Sequence, residues 1–139
     1  MANYEATART NYFKVTDKDK YQQLFENLTG ECEIQDFTKK INGELYHGFG
    51  SYATIDYYTE DKEFDFDVFL NELQKILPDD EAFVLIEVGY EKLRYITGYT
   101  IIATSKVIEQ MDLIINANGH QEVLTQYLDI ISRHFYSYL

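Results

Sequence analysis

Three segments of the chain carry apolar residues at the spacing of one helical face, i, i+3, i+4 and i+7. The first predicts a helix over residues 17–28, the second a helix that begins at Asp65 or Asp67 and ends before Pro78, and the third a C-terminal helix. Thr16 and Asp17 precede the first helix, and their side chains can cap its free backbone N–H groups. The three stripes are Tyr21, Leu24, Phe25 and Leu28; Phe66, Phe69, Leu70, Leu73, Ile76 and Leu77; and Val123, Leu124, Tyr127, Leu128, Ile131 and Phe135.

The segments between these helices have the composition of β-strands. Residues 8–15, 82–88 and 92–104 are rich in β-branched and aromatic residues, and residues 106–110 predict a further short strand. Asn42-Gly43 separates residues 33–41 from residues 44–55, which predicts a β-hairpin with a type I′ turn. Gly89 to Glu91 predict a turn before the last long strand.

The order of these elements predicts the fold class. Hairpins joined by helices are typical of an α+β protein, here an antiparallel or mixed β-sheet of about five to six strands covered by about three helices. A length of 139 residues, with no low-complexity segment or linker, predicts a single domain over residues 1–139.

The charge of the chain is concentrated in one region. The chain has 24 acidic residues against 12 Lys and Arg, a net charge of −12. Residues 56–91 hold twelve of the acids and two lysines, so that they carry −10 of this charge. A field of a single sign repels nucleic acid and attracts basic partners, so we expect no direct nucleic-acid ligand.

Cysteine content and hydropathy predict a cytoplasmic protein. Cys32 is the single cysteine, which excludes an internal disulfide and favours a reducing compartment. The sequence shows no apolar run of about 20 residues, the length that a membrane span requires, and the N-terminal residues lack the pattern of a signal peptide.

No motif in the sequence predicts catalysis, a metal site or a cofactor. The three histidines are far apart, and His47 is expected to be a hydrogen-bonded structural residue. The acidic residues that follow Asp56 lack the central glycine of an EF-hand loop. Residues 48–53 match the form GxGxxA, but the dinucleotide fingerprint requires a helix next, and the following residues favour a strand. We therefore predict a non-enzymatic protein.

A second surface combines basic and aromatic residues. Arg9, Tyr12, Lys92 and Arg94 lie on predicted strands among further tyrosines. Such a combination can stack and pair with single-stranded nucleic acid or a nucleotide. A cross-strand pairing of these cations with carboxylates is the alternative interpretation.

Two segments resemble a family of small, acidic, mostly uncharacterised proteins encoded by bacteriophages, plasmids and conjugative elements. They are Ala8-Arg9-Thr10-Asn11-Tyr12-Phe13-Lys14-Val15 and Glu87-Val88-Gly89-Tyr90-Glu91-Lys92-Leu93-Arg94-Tyr95-Ile96-Thr97-Gly98, and the helix from Asp67 to Leu77 is similar more loosely. The resemblance implies a mobile-element setting, and the family supplies no catalytic residues to carry over to this chain.

The charge and this setting together predict an inhibitor of a host defence nuclease complex, of the anti-CRISPR or antirestriction type. An acidic face that mimics DNA would bind the basic nucleic-acid-binding surface of a host protein. A replication or transfer adaptor, and a small enzyme or nucleotide binder that uses Arg9, Tyr12, Lys92 and Arg94, are the alternatives. The predicted partner-binding residues are Asp56, Glu60, Asp61, Glu63, Asp65, Asp79, Asp80, Glu81, Tyr57 and Tyr58.

Overall fold

The computed structural model describes residues 4–91 and 95–115, and this part of the chain forms two helices and ten strands. The helices are α1 (Lys18–Glu26) and α2 (Phe66–Gln74). The strands are β1 (Tyr4–Thr10), β2 (Leu28–Thr29), β3 (Gln35–Asp36), β4 (Lys39–Ile41), β5 (Glu44–Tyr46), β6 (Phe49–Ser51), β7 (Asp56–Tyr57), β8 (Phe83–Glu91), β9 (Tyr95–Ala103) and β10 (Ile108–Ile115).

Six of the strands form one antiparallel sheet in the order β10-β9-β8-β1-β6-β3. Two small sheets, β2-β7 and β4-β5, complete the described structure. The α+β class with a mainly antiparallel sheet is therefore confirmed. Of the three predicted helices two are present, and the third, at residues 123–135, lies outside the described residues.

Both helices begin at the predicted caps. The Asp17 carboxylate accepts the Lys20 N–H at 3.0 Å, and the Asp65 carboxylate accepts the Asp67 N–H at 3.0 Å. α2 ends at Gln74, earlier than the apolar stripe predicts. The last stripe residues, Ile76 and Leu77, are nevertheless buried in the turn that follows.

The core lies between the two helices and one face of the sheet and is mainly aromatic. Phe83 of β8 is at its centre, with its ring centroid 5.1 Å from Phe13, 6.0 Å from Phe49 and 6.1 Å from Phe69 of α2. These four phenylalanines are fully buried. Tyr21 of α1 packs on Phe13 edge to face, so both helices are joined through one aromatic cluster.

The predicted turn at Gly89 to Glu91 is wrong, because these residues continue β8. Gly89 is opposite Ala6 of β1 and Thr97 of β9 in an uninterrupted register. A Cβ atom at this position would lie 2.2 Å from the Tyr4 hydroxyl. The glycine therefore makes room for an aromatic side chain of the neighbouring strand and does not mark a turn.

The hairpin around Asn42-Gly43 is confirmed, but its strands are shorter than predicted. Asn42 and Gly43 have φ angles of 52° and 82°, as a type I′ turn requires. Only β4 and β5 flank this turn, and β6 leaves the hairpin to pair with β1 in the main sheet.

Two further strand boundaries differ from the prediction. β1 starts at Tyr4 and ends at Thr10, while Phe13 makes only an isolated bridge with His47. β10 extends to Ile115, beyond the predicted end at residue 110. Pairing with a long neighbouring strand sets both boundaries, and pairing partners are not visible in local composition.

Candidate functional site

The acidic loop, residues 58–65, connects β7 to α2 and is closed by backbone hydrogen bonds. The Thr59 N–H donates to the Glu63 carbonyl at 2.8 Å, and the Lys62 N–H donates to the Thr59 carbonyl at 3.0 Å. Tyr58 and Phe64 form an antiparallel bridge across the loop. The acids of this loop are therefore held on a defined backbone.

Three carboxylates of the acidic loop are exposed and unpaired. Glu60, Asp61 and Glu63 have no ion-pair or hydrogen-bond partner for their side chains within residues 4–91 and 95–115. Lys62 between them adopts a positive φ of 63°. Asp65 is exposed as well, but its carboxylate also caps α2.

An aromatic pair stands beside these carboxylates. The rings of Tyr58 and Phe64 are 5.2 Å apart, and the two side chains are 40% and 66% exposed. Tyr57, which is also among the predicted partner-binding residues, is buried: it packs on Phe69 and pairs with Leu28. Side chains alternate along extended backbone, so Tyr57 of β7 points into the core and Tyr58, the next residue, lies at the surface.

The second predicted acidic group lies at the other end of α2 and differs in its surroundings. Asp80 is exposed, whereas Asp79 accepts a hydrogen bond from Ser105 at 2.9 Å. The Glu81 carboxylate is partly buried and accepts the backbone N–H groups of Lys14 and Ala82, at 2.8 and 3.2 Å. Glu81 therefore joins two segments of the fold.

The two acidic groups do not form one continuous cluster. α2 separates them, and a helix of nine residues is about 13 Å long. Asp56, at the start of β7, is half-buried and accepts the N–H of Tyr57 at 2.8 Å. Among the described residues, the densest group of unpaired charges is thus on the acidic loop.

Two more acidic residues of the segment 56–91 are buried in the sheet. Glu87 is 3% exposed, and its carboxylate accepts the hydroxyls of Tyr4 at 2.9 Å and Tyr99 at 3.0 Å. Burial, with the nearby Glu87 charge, raises the pKa of Tyr99 and keeps this donor protonated. Glu91 is buried as well. These two carboxylates are part of the interior, which sequence-based charge counting did not reveal.

The structure brings together Arg9 and Tyr12 of the predicted basic patch. The Arg9 guanidinium donates to the Tyr12 hydroxyl at 3.3 Å and lies 4.5 Å from the centroid of Phe37. Lys39 adds a second cation, 4.2 Å from the centroid of Tyr12. Lys92 and Arg94 lie outside the described residues.

Phe37 and Lys39 were missed by the sequence analysis. The two glycines of the GxGxxA match lie against the aromatic rings of Phe37 and Tyr12. A Cβ atom at Gly50 would lie 3.0 Å from the Phe37 ring, and one at Gly48 would lie 3.3 Å from the Tyr12 ring. These glycines leave space for the two rings on one face of the strand. No helix follows them, since β7 is the next element.

An open groove of about 1130 Å³ runs beside β1. Its lining comprises residues 4–7, 29–32 and 52–54, together with Asp56, Phe64 of the acidic loop, and Val88 and Tyr90 of β8. Neither Arg9 nor Tyr12 is among its lining residues. The groove was not predicted from the sequence.

His47 is a structural histidine in the core, as expected. It is 5% exposed, its ring is 4.1 Å from that of Tyr21, and its Nδ1 lies 3.4 Å from the Thr38 hydroxyl. Burial lowers the pKa of His47 below its ordinary value of 6.5, while Asp36 nearby raises it and Lys18 lowers it further.

This lowered pKa predicts a loss of stability in mild acid. Below pH 6.5 the unfolded chain binds a proton at His47 that the folded chain does not. The free energy of unfolding therefore decreases as the pH is lowered, by at most about 1.4 kcal/mol per pH unit, until the pKa of His47 in the folded protein is reached. Chemical unfolding of the wild type and of His47→Gln over pH 5 to 8 measures this effect. Equal slopes for the two proteins over this range would contradict it.

No family model, curated protein or solved structure matches the chain. The resemblance to mobile-element proteins therefore stays a prediction. Among residues 4–91 and 95–115 no group of three metal-ligating side chains is close enough to hold an ion. No helix in the same part of the chain is long and apolar enough to cross a membrane.

Proposed function

We propose that this chain is a non-enzymatic binding protein of a mobile genetic element that inhibits a host defence nuclease complex. In this proposal the acidic loop occupies a basic surface on which the complex binds nucleic acid. The observation that carries the proposal is the ordered loop itself, which presents three unpaired carboxylates next to an exposed aromatic pair.

The chemistry of this loop favours a protein partner over bulk solvation. Exposed charges steer a complementary surface into contact, and they do so more effectively when their positions are fixed. Aromatic side chains at the centre of an interface contribute much of its binding energy. Tyr58 and Phe64 would supply such anchors, while Glu60, Asp61 and Glu63 would pair with Lys and Arg of the partner.

The direct test is a DNA-cleavage assay with purified restriction and CRISPR effector complexes. The protein should inhibit at least one of them, duplex DNA should compete with it, and inhibition should weaken as salt rises from about 50 to 300 mM, because ionic contacts are screened. Inhibition that is insensitive to both salt and competing DNA would contradict acidic mimicry. Absence of inhibition across such a panel would contradict the proposed function.

A further inference from the structure

The strand β1 has an edge that is only partly covered. β1 pairs with β8 from Tyr4 to Thr10, but with β6 only at Ala8 and Arg9. β6 ends at Ser51, and the chain then turns away from β1. Residues 4–7 therefore face the groove without a described strand beside them on that side.

The hydrogen-bond pattern shows which backbone groups face the groove. The Asn11 N–H donates to the Val84 carbonyl at 3.1 Å. In an antiparallel ladder every second residue directs its N–H and C=O groups to the same neighbouring strand. Thr7 therefore forms its backbone hydrogen bonds with β8, as Asn11 does. Ala8 pairs with Ser51 of β6. Ala6 directs its N–H and C=O groups to the same side of β1, but no residue of β6 pairs with it there.

We propose that this groove binds an extended, basic segment of a partner protein by β-strand addition to β1. The incoming strand would take up the backbone groups of Ala6 and lie between β1 and residues 52–54. Residues 4–7 span about 13 Å at the rise of an extended strand, which is enough for several cross-strand pairs.

The charge of the groove specifies a basic segment. Glu5, Glu31 and Asp56 line it, and the described lining residues include no lysine or arginine. Glu5 accepts a hydrogen bond from the Tyr90 hydroxyl, which holds its carboxylate on the groove side. Lysine or arginine side chains of the incoming segment would meet these three acids.

The exposed aromatic and aliphatic side chains of the groove favour apolar residues at alternate positions of the incoming segment. Tyr52 is 71% exposed, and Val88, Tyr90 and Phe64 are also exposed. Side chains of an added strand point alternately to the two faces of the sheet. A segment in which apolar and basic residues alternate would therefore satisfy both sets of contacts.

A second copy of this chain is the less suitable occupant. Pairing two β1 edges would bring Glu5 of one copy close to that of the other, within two molecules that each carry a net charge of −12. Charged residues on an exposed edge commonly prevent such self-pairing. This inference does not rest on the proposed inhibitory function, because the uncovered strand edge is observed independently of the three carboxylates of the acidic loop. Phe64 is the residue that the two surfaces share.

The proposal is tested with the full chain and two synthetic peptides. The first is an acetylated hexapeptide of alternating valine and lysine, and the second has the same sequence with N-methyl groups on alternate residues, which keep the charge but block strand pairing. In heteronuclear NMR the first peptide should shift and protect the Ala6 amide, and it should bind at least about tenfold more tightly than the second.

Two variants of the protein separate backbone pairing from other contacts. Ala6→Pro removes one N–H group that faces the groove, and proline is tolerated in an edge strand. This change should lower the affinity for the first peptide by about fivefold. Ala6→Ser keeps the N–H and should bind the peptide as the wild type does. Thermal unfolding verifies that both variants are folded, and if Ala6→Pro is not, the comparison of the two peptides still decides.

Equal affinity for the two peptides, or peptide binding at a site that leaves the Ala6 amide unchanged, would overturn the proposal. So would a dimer that forms through the β1 edge in place of peptide binding. Asp61→Lys with Glu63→Lys separates this site from the acidic loop. These changes should reduce nuclease inhibition and leave the Ala6 response to the peptide in place, so that either proposal can fail without the other.

Discussion

Replacing Asp61 and Glu63 together with lysine is expected to weaken binding to a basic partner surface by about a hundredfold or more. Each exchange removes an attractive charge and puts a repulsive one in its place, and close interfacial charge pairs couple by about 1.5–7 kcal/mol. Both side chains are exposed and unpaired within the described residues, so the fold should be unaffected. The measurement is the inhibition constant in the cleavage assay, at fixed salt.

A matched control distinguishes local charge from net charge. Asp19→Lys with Glu33→Lys changes the net charge by the same amount at exposed positions outside the acidic loop. This control is expected to change inhibition by less than about tenfold, through long-range steering alone. Equal effects of the two double variants would show that the loop is not the contact surface. Asp65 is left unchanged because its carboxylate caps α2.

Phe83→Ala is expected to destabilise the protein by about 3–5 kcal/mol, since it removes a fully buried ring and leaves a cavity. Phe83 contacts the rings of Phe13, Phe49 and Phe69, so the cavity would lie where the sheet and both helices meet. The free energy of unfolding of a native protein is typically about 5–15 kcal/mol, so this loss would remove much of the stability of the fold. The free energy of unfolding in urea measures the effect.

The matched control for this change is Phe64→Ala. It removes the same side chain from an exposed position in the acidic loop, and the stability should change by no more than about 0.5 kcal/mol. A loss at Phe83 as small as that at Phe64 would contradict the central position of Phe83 in the core.

Features of the fold that depend on local sequence could be predicted, and features that depend on pairing could not. Asp17 and Asp65 cap the two helices as expected, because a cap needs only a side chain and the next turn of backbone. Asn42-Gly43 formed the expected turn for the same reason. Gly89 misled the prediction, because its role is to leave room for Tyr4, a residue distant in sequence.

The candidate site divides in the same way. The charge of the acidic loop is visible in the sequence, since neighbours in the chain remain neighbours in space. Glu87 looked the same as Asp61 in a count of charges, but its partners Tyr4 and Tyr99 come from adjacent strands. The groove depends on where β6 leaves β1, which no local pattern encodes.

The short seam between β1 and β6, by which we mean their pairing over Ala8 and Arg9, affects how cooperatively the protein unfolds. On one side of it β1, β8, β9 and β10 form a continuous ladder. On the other side β6 and β3 are attached through Ala8 and Arg9 and through the bridge between Phe13 and His47. Few backbone bonds have to break for the smaller part to separate, so opening at the seam costs less than global unfolding. Phe49, buried in the aromatic cluster against Phe83 of β8, opposes this opening.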